Sequence, residues 1–103
     1  MASNKVTKYD LVDSIYREMR CDRAVILSVV DKFLNGVKVS LSGGSTIELR
    51  GFGTFEPRLR KGRERARNPK SGEIVSMPPH YVAAFRAGKE LKQTLYHLEI
   101  KNE

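Results

Sequence analysis

The first part of the chain contains two stretches whose apolar residues recur with the period of an α-helix. The first stretch covers residues 8–20, where apolar residues lie three and four positions apart. Thr7 and Asp10 have the spacing of a capping box, in which each side chain binds the other residue's backbone N–H. This pattern predicts a short amphipathic helix. It also explains Asp10 as a residue of the helix start rather than a catalytic carboxylate.

The second stretch predicts a longer helix that is apolar on two sides. Asp22 can cap this helix, and the helical period continues to Leu41. Val25 and Val29 extend the apolar surface onto a second face. Because so small a chain offers few partners, we expect one face to pack on the first helix and the other on a second subunit.

The middle of the chain alternates between polar and apolar residues, which is the period of a β-strand. After a glycine-rich turn at residues 43–45, residues 46–50 predict a half-buried strand with Glu48 and Arg50 on its outer face. Alternation resumes at Thr54, and Pro57 within it indicates an edge strand or a local irregularity. Residues 68–72 are rich in turn-forming types, so residues 73–77 should return as a partner strand.

The end of the chain predicts a third helix. Pro78 and Pro79 should stop the preceding strand and begin the helix. Its apolar side would hold Val82, Phe85, Leu91, Leu95 and Leu98. The total of 103 residues predicts one domain, and if part of the chain is a solvated arm, the body that remains is near the size at which the core of a lone chain becomes marginal.

The charge pattern changes this picture, because nearly all of the net charge lies in one segment. Residues 58–70 contain seven basic residues and one acidic residue, and therefore carry +6 of the formal net charge of +7. Charge concentrated in this way indicates a polyanionic partner, so we expect a nucleic-acid-binding arm on a nearly neutral body. The basic residues are Arg58, Arg60, Lys61, Arg63, Arg65, Arg67 and Lys70.

Pro69 is the uncharged residue that stands out within this arm. An alternating basic ribbon can lie along a duplex groove, and its affinity should fall steeply with salt because neutralised phosphates release counterions. At the end of such a ribbon, Pro69 either inserts between base steps as a rigid wedge or only shapes the turn. The residues alone leave both interpretations open.

The remaining residues do not indicate an enzyme or a cofactor. We find no paired nucleophile and base, no phosphate-binding loop and no cluster around His80 or His97 that would bind a metal. Cys21 is the single cysteine, which excludes an intramolecular disulfide and predicts a half-buried thiol in a reducing compartment. The chain has no apolar run of roughly 18 residues and no signal peptide, so we expect a soluble cytoplasmic protein.

From about residue 7 to residue 95 the chain resembles the HU/IHF family of bacterial nucleoid proteins. Three motifs in the family's order carry the resemblance: GFGTF at residues 51–55, RNPKSGE at 67–73 and FRAGKELK at 85–92. It implies an α+β fold in an intertwined dimer, with a helical base, a small antiparallel sheet and one β-ribbon arm per subunit around the DNA minor groove. The single domain would then comprise a body of residues 7–57 and 74–98 and an arm of about 58–73.

The resemblance also implies roles for individual residues. Pro69 matches the family's intercalating proline, and Arg67 and Asn68 match the residues beside it at the arm tip. Lys8 matches a lysine near the family's N-terminus. Lys89 and Lys92 match helix lysines that contact phosphates on the flank of the body.

The chain departs from the common HU pattern in two ways. Its arm has one more residue between Phe55 and Pro69 and lacks the usual Thr-Gly, so the roles of earlier arm residues do not transfer one by one; longer arms of this kind resemble spirochaetal members. Residues 47–53 instead resemble the β subunit of integration host factor. There the matching arginine reads the minor groove beside an acidic residue, which implies a site preference from Arg50 oriented by Glu48.

The leading hypothesis is therefore an architectural protein of the nucleoid that bends and compacts duplex DNA with little sequence specificity. One alternative is a regulator with a preferred DNA site, similar to integration host factor. A more distant one is an RNA-binding protein, since basic hairpins also serve that function. We expect a homodimer without cofactor, metal or catalytic residues.

Overall fold

The computed structural model describes residues 4–67 and 70–100. Their elements are α1 (Lys8–Met19), α2 (Arg23–Ser42), β1 (Ile47–Leu49), β2 (Gly53–Arg60), β3 (Arg63–Arg67), β4 (Ile74–Met77), β5 (His80–Ala87) and α3 (Lys89–Tyr96). The strands pair antiparallel, and the predicted α+β class is confirmed. The chain divides into two compact units, Met1–Val39 and Ser40–Glu103.

Helix α1 begins and ends at the residues that the sequence predicts. The Thr7 N–H donates to Asp10 Oδ2 at 2.9 Å, and the Asp10 N–H donates to Thr7 Oγ1 at 3.2 Å, which completes the capping box. The hydrogen bond from the Thr7 N–H, together with the Thr7 hydroxyl as a further donor, holds the pKa of the Asp10 carboxyl below its usual value. Arg20 ends the helix in the left-handed conformation, and its N–H donates to the Tyr16 carbonyl at 2.8 Å.

Helix α2 follows after a short connection and is tied to α1 by charge. Asp22 Oδ1 accepts from the Ala24 N–H at 3.0 Å, as predicted for a capping residue. Arg23 Nε donates to Asp13 Oδ1 at 2.7 Å, which joins the start of α2 to α1. Cys21 lies in the connection and is exposed. The prediction of a half-buried thiol was wrong, because the connection runs along the surface of its unit.

The hydrophobic core of this unit is very small. Among the described residues only two hydrophobic side chains are buried: Val12 of α1, at 0% exposure, and Ile26 of α2, at 6%. Val25, Val29 and Phe33 on α2 are each more than half exposed. The predicted second apolar face of α2 therefore has no cover within the single chain.

The second unit is built on a three-stranded antiparallel sheet in the order β1-β2-β5. β2 and β5 pair without interruption from Gly53 opposite Ala87 to Arg60 opposite His80. β1 is shorter, and its pairing with β2 ends opposite Phe55. Beyond Phe55, β2 has a neighbour on one side only, so Pro57 occupies an edge, where a residue without an N–H is tolerated.

Residues 80–87 form strand β5, which corrects the prediction of a helix beginning after Pro79. Val82 and Phe85 are three positions apart and so fit a helical period, but Val82 and Ala84 are half-buried while their neighbours are exposed, a period of two. Pairing with β2 decides the outcome, since it places Phe85 directly opposite Phe55. Helix α3 begins only after Gly88; it contains Leu91 and Leu95, whereas Leu98 follows its end.

A second, two-stranded sheet continues the chain beyond β2 and consists of β3 and β4. Its pairs are Arg63 with Met77, Ala66 with Val75 and Arg67 with Ile74. Three steps along β3 thus correspond to two along β4, which is a β-bulge or a similar irregularity. β3 accommodates one residue more than the strand opposite.

The two sheets are separated by an interruption on both sides, which we name the arm junction: residues 61–62 and 78–79, which belong to no strand. Backbone approaches Gly62 closely at this point. A Cβ atom at Gly62 would lie 2.7 Å from the Pro79 nitrogen and 2.8 Å from the Pro78 carbonyl carbon, and it would also meet the Met77 carbonyl oxygen. Only glycine fits there without a shift of backbone.

Candidate nucleic-acid interface

The basic residues of the arm lie on consecutive strands. Arg58 and Arg60 are in β2, Lys61 is in the arm junction, Arg63, Arg65 and Arg67 are in β3, and Lys70 is in the turn before β4. The positive charge of the arm therefore lies on two consecutive strands, β2 and β3, on the junction between them and on the turn before β4. Asn68 and Pro69, the other two arm residues of the sequence prediction, lie outside the described residues.

The two faces of the β2–β5 pair differ in chemistry. One, the aromatic face, carries Phe55 and Phe85, whose ring centroids are 4.8 Å apart, and Phe52 lies 5.1 Å from Phe85. The other, the polar face, is made by the alternate positions of the same strands. The residues of the polar face are Thr54, Glu56, Arg58, Arg60, His80, Val82, Ala84 and Arg86.

Glu56 holds two arginines together on the polar face. Arg58 Nη2 donates to Glu56 Oε2 at 3.0 Å, and Arg86 Nη2 donates to Glu56 Oε1 at 3.1 Å. The hydrogen bond from Arg58, aided by that from Arg86, holds the pKa of the Glu56 carboxyl below its usual value and outweighs the opposing effect of burial. The carboxylate therefore stays charged and keeps both guanidinium groups beside it.

Arg86 is the residue of this group that sequence reasoning missed as a candidate for DNA contact. The helix predicted for residues 80–87 placed Arg86 beside Lys89 and Lys92, whereas the structure places it in β5, diagonal to Glu56. Residues 82–85 are a short apolar run that fits a helix or a strand, so no local signal distinguishes the two, and only the pairing with β2 identifies Arg86.

Lys8 is already engaged within its own unit. Its Nζ donates to Asp31 Oδ1 at 2.7 Å and lies 5.0 Å from the centroid of the Tyr9 ring. The hydrogen bond to Asp31 raises the pKa of the Lys8 ammonium, so the side chain remains charged. A phosphate that binds Lys8 must therefore share this cation with Asp31 or displace it.

Lys89 and Lys92 lie in the first turns of α3, three positions apart and hence close to one another on its surface. Gly88 caps the helix without a side-chain hydrogen bond, while its own N–H donates to the Phe52 carbonyl at 2.8 Å. Lysine near a helix N-terminus is unfavourable to the helix dipole. Lys89 and Lys92 lie at that end despite this unfavourable interaction, and their charges are available to bind an external anion.

Glu48 and Arg50 are not joined in the structure. Glu48 is in β1, but the strand ends at Leu49, and Arg50 lies in a β-turn closed by the hydrogen bond from the Phe52 N–H to the Leu49 carbonyl at 2.9 Å. Gly51 supplies the positive φ of +83° that such a turn requires at its third position. The prediction that both residues share the outer face of one strand was wrong, and no ion pair links these two described side chains.

Other kinds of site find little support. Within residues 4–67 and 70–100, no group of three His, Cys, Asp or Glu side chains could hold a metal ion. His80 contacts the Pro78 carbonyl through Nδ1 at 3.0 Å, and His97 lies against the Tyr96 ring. None of the described helices is long and apolar enough to cross a membrane.

Comparison with known proteins gives consistent matches over most of the chain. The family model described as "Bacterial DNA-binding protein" matches residues 6–96. The DNA-binding protein HU of Treponema pallidum is 40% identical over 89 residues, which are 86% of this chain and 84% of that protein. The integration host factor subunit alpha of Methylococcus capsulatus is 37% identical over 95 residues, which are 91% of this chain and 84% of that protein.

The fold matches solved structures as well. An Anabaena HU protein in a cocrystal with DNA superposes with a TM-score of 0.79 at 32% identity, covering 90% of this chain and all of that chain. HU/IHF proteins are architectural DNA-binding proteins without enzymatic activity, and that coarse function applies here. With a family model across residues 6–96 and relatives of 37–40% identity on both the HU and the integration host factor side, the chain belongs to the HU/IHF family of bacterial DNA-binding proteins.

Proposed function

We propose that this protein bends and compacts duplex DNA in the bacterial nucleoid, with low sequence specificity, by placing its basic arms in the minor groove. The observation that carries the proposal is the concentration of +6 of the net charge of +7 in residues 58–70, on a two-stranded extension of the sheet. The sequence predicts a body of residues 7–57 and 74–98 and an arm of about 58–73; because β4 pairs with β3, we propose that the arm includes β4 as well. The cocrystal of the Anabaena relative with DNA supports duplex DNA as the partner.

Phosphate contacts explain why the arm suits DNA of any sequence. Arginines along the ribbon would meet the phosphates that flank a groove, and such contacts fix position without reading bases. If a dimer neutralised about ten phosphates, the slope of log affinity against log salt concentration would be roughly −9.

The proposed active form is a homodimer. The two buried hydrophobic side chains, Val12 and Ile26, make too small a core for a stable chain, while large apolar side chains of both units remain exposed. A second copy is the simplest cover for these surfaces. The exposed residues include Val25, Val29, Phe33, Leu34, Val39, Phe52 and Phe85.

Pro69 is proposed as the wedge that kinks the duplex. The support is its place beside Arg67 and Asn68 in the family motif and the mechanism known for the HU and IHF class, in which apolar residues inserted between base steps bend DNA. Pro69→Ala should lower the bend angle more than the affinity, as measured by energy transfer between the ends of a short labelled duplex. Pro57→Ala, in β2, is the matched control and should leave the angle unchanged. An unaltered angle in Pro69→Ala would exclude the wedge.

A regulator with a preferred DNA site is the second candidate. It is favoured by the similarity to integration host factor subunits and by the position of Arg50 at a turn of the sheet. Footprinting on random and selected duplexes separates the two functions. Uniform protection that Arg50→Ala does not alter would exclude the site-specific function and leave the general one.

RNA binding is the least supported function. A-form RNA has a deep, narrow major groove and a shallow minor groove, so an arm shaped for the DNA minor groove should prefer DNA. Duplex RNA that competes as well as bent or nicked DNA at the same salt concentration would favour RNA instead.

A further inference from the structure

The polar face of the β2–β5 pair carries a charged cluster outside the β-ribbon: Glu56, Arg58 and Arg86. Register places these residues on one face, since Glu56 and Arg58 are two apart in β2 and Arg86 is opposite Thr54. The aromatic face lies on the other side of the same strands. The cluster therefore lies on the face of the sheet opposite to Phe55 and Phe85.

Each oxygen of the Glu56 carboxylate is used by a different guanidinium. Arg58 binds Oε2 at 3.0 Å and Arg86 binds Oε1 at 3.1 Å, so the two arginines are held side by side from two strands. The Glu56 side chain is 23% exposed, while those of Arg58 and Arg86 are 52% and 62% exposed. A guanidinium has five N–H donors, so each arginine keeps free donors that face solvent after binding Glu56.

The charges of the cluster do not cancel. Two guanidinium groups and one carboxylate leave one net positive charge, held in a fixed fork geometry that matches the oxygens of a phosphate. Long arginine side chains lose much rotamer freedom when they bind a phosphate, and an acceptor that fixes them beforehand reduces that loss. The Glu56 carboxylate can therefore favour phosphate binding by the two arginines even though its own charge repels a phosphate.

We propose that Arg58 and Arg86 form a phosphate-binding pair on the polar face of the sheet, and that Glu56 is the positioning residue that holds both arginines for the DNA backbone. The inference rests on the proposed function and extends the DNA interface from the arm onto strand β5. Glu56 itself does not touch DNA. It acts through the two arginines.

The direction in which Glu56→Gln changes DNA affinity shows whether Glu56 positions the arginines or only contributes a negative charge. If Glu56 only opposed the phosphates, Glu56→Gln would strengthen binding because it removes a negative charge. If Glu56 positions the arginines, Glu56→Gln weakens binding despite the more favourable net charge, because an amide offers one acceptor oxygen in place of two. Glu18→Gln is the matched control: the same change of charge on an exposed residue of α1, which belongs to the other unit of the chain.

The experiment measures fluorescence anisotropy of a labelled duplex of about 30 base pairs over a series of salt concentrations, with circular dichroism to check folding. Arg86→Ala should reduce the magnitude of the log–log salt slope by about 0.9 for each Arg86 in the complex. Glu56→Gln should weaken binding roughly 3- to 10-fold at matched salt, within the range for losing one ordinary hydrogen bond. Glu18→Gln should leave binding equal or slightly tighter.

An unchanged slope in Arg86→Ala would overturn the assignment of Arg86. Binding by Glu56→Gln as tight as that of Glu18→Gln would overturn the role of Glu56. If Glu56→Gln does not fold, Arg86→Lys decides: weaker binding at an unchanged slope supports a positioned fork, and unchanged affinity overturns it. A wild-type protein that binds DNA without salt dependence would instead refute the proposed function.

Discussion

The β2–β5 pair and the β3–β4 pair are consecutive parts of the same hairpin, yet they are built differently. β2 and β5 keep one register over eight residue pairs, whereas β3 and β4 shift register within five residues. β2 and β5 share an aromatic face, and the contact between Phe55 and Phe85 favours this register because a slip of one residue would place the two rings on opposite faces of the sheet. The sequence of β3, Arg-Glu-Arg-Ala-Arg, offers no apolar face, so its charges serve a partner rather than the fold.

Excision of the β3–β4 pair is the strongest test of this contrast. Replacing residues 61–79 with Asn-Gly would join Arg60 and His80 through a two-residue hairpin turn. The body should keep the helical signal in its circular dichroism, since the pairing of β2 with β5 does not involve the excised residues. DNA affinity near physiological salt should fall roughly 100-fold or more, because each arm loses five basic residues. Anisotropy with a labelled duplex measures the loss.

The control for the excision keeps the chain length. Substituting glutamine for Arg63, Arg65 and Arg67 removes charge without removing backbone, and it should weaken DNA binding while leaving folding intact. A deletion variant that loses its helices would refute the division into body and arm.

Loss of an aromatic ring should break the regular part of the hairpin. Phe55→Ala removes the partner of Phe85 and should lower the free energy of unfolding by about 3 kcal/mol, at the low end of the range for truncating a phenylalanine because Phe55 is half-buried. Leu59→Ala, on the same side of β2 but 58% exposed, should cost at most about 1 kcal/mol. Urea unfolding followed by circular dichroism compares the two. Equal losses would show that the aromatic face does not hold the register.

The arm junction can be tested with the same substitution at two glycines. Gly62→Ala places a Cβ against the backbone of Pro78 and Pro79 and should destabilise the protein by about 1–3 kcal/mol. Gly36→Ala, inside α2 with no atom within 4 Å, should instead stabilise it by up to about 1 kcal/mol. Thermal unfolding measures both. Stabilisation by Gly62→Ala would contradict the close approach at the junction.

Acid titration gives the smallest expected effect. A carboxylate with a lowered pKa in the folded state stabilises the fold above its ordinary pKa, and this stabilisation is lost as pH falls through the folded value. With ordinary values of 4.5 for Glu56 and 3.8 for Asp10, the contribution should be complete near neutral pH and decline below about pH 4.5. Glu56→Gln should flatten part of this acid dependence of the urea midpoint, and Asp10→Asn should flatten another part. An acid limb that neither substitution alters would contradict both assignments.

Local signals predicted the helical unit well. The capping box at Thr7 and Asp10, the cap at Asp22 and the apolar period specify α1 and α2 within a few residues, and the structure has them there. The basic arm could also be predicted, because the density of charge along a sequence does not depend on tertiary contacts.

The errors came from residues whose structure depends on distant partners. Phe85 reads equally well as helix or strand until Phe55 is placed opposite it, and that pairing spans thirty positions of sequence. The cluster of Glu56 and Arg86 depends on the same register, so it could not be recognised beforehand. Arg50 was assigned to a strand because the alternation of polar and apolar residues continues through it. The strand instead ends at Leu49, because Arg50 and Gly51 form a turn that the positive φ of Gly51 allows.

The arm junction has a mechanical consequence. Pro78 and Pro79 have no amide hydrogen, so no small rearrangement can join the two sheets into one continuous ladder. If the arm tip bound a stiff, bent duplex, the resulting force would act first on the hydrogen bonds between β3 and β4. No continuous row of hydrogen bonds would transmit that force to the aromatic residues of the body. We therefore expect β3 and β4 to separate under strain while the body stays folded.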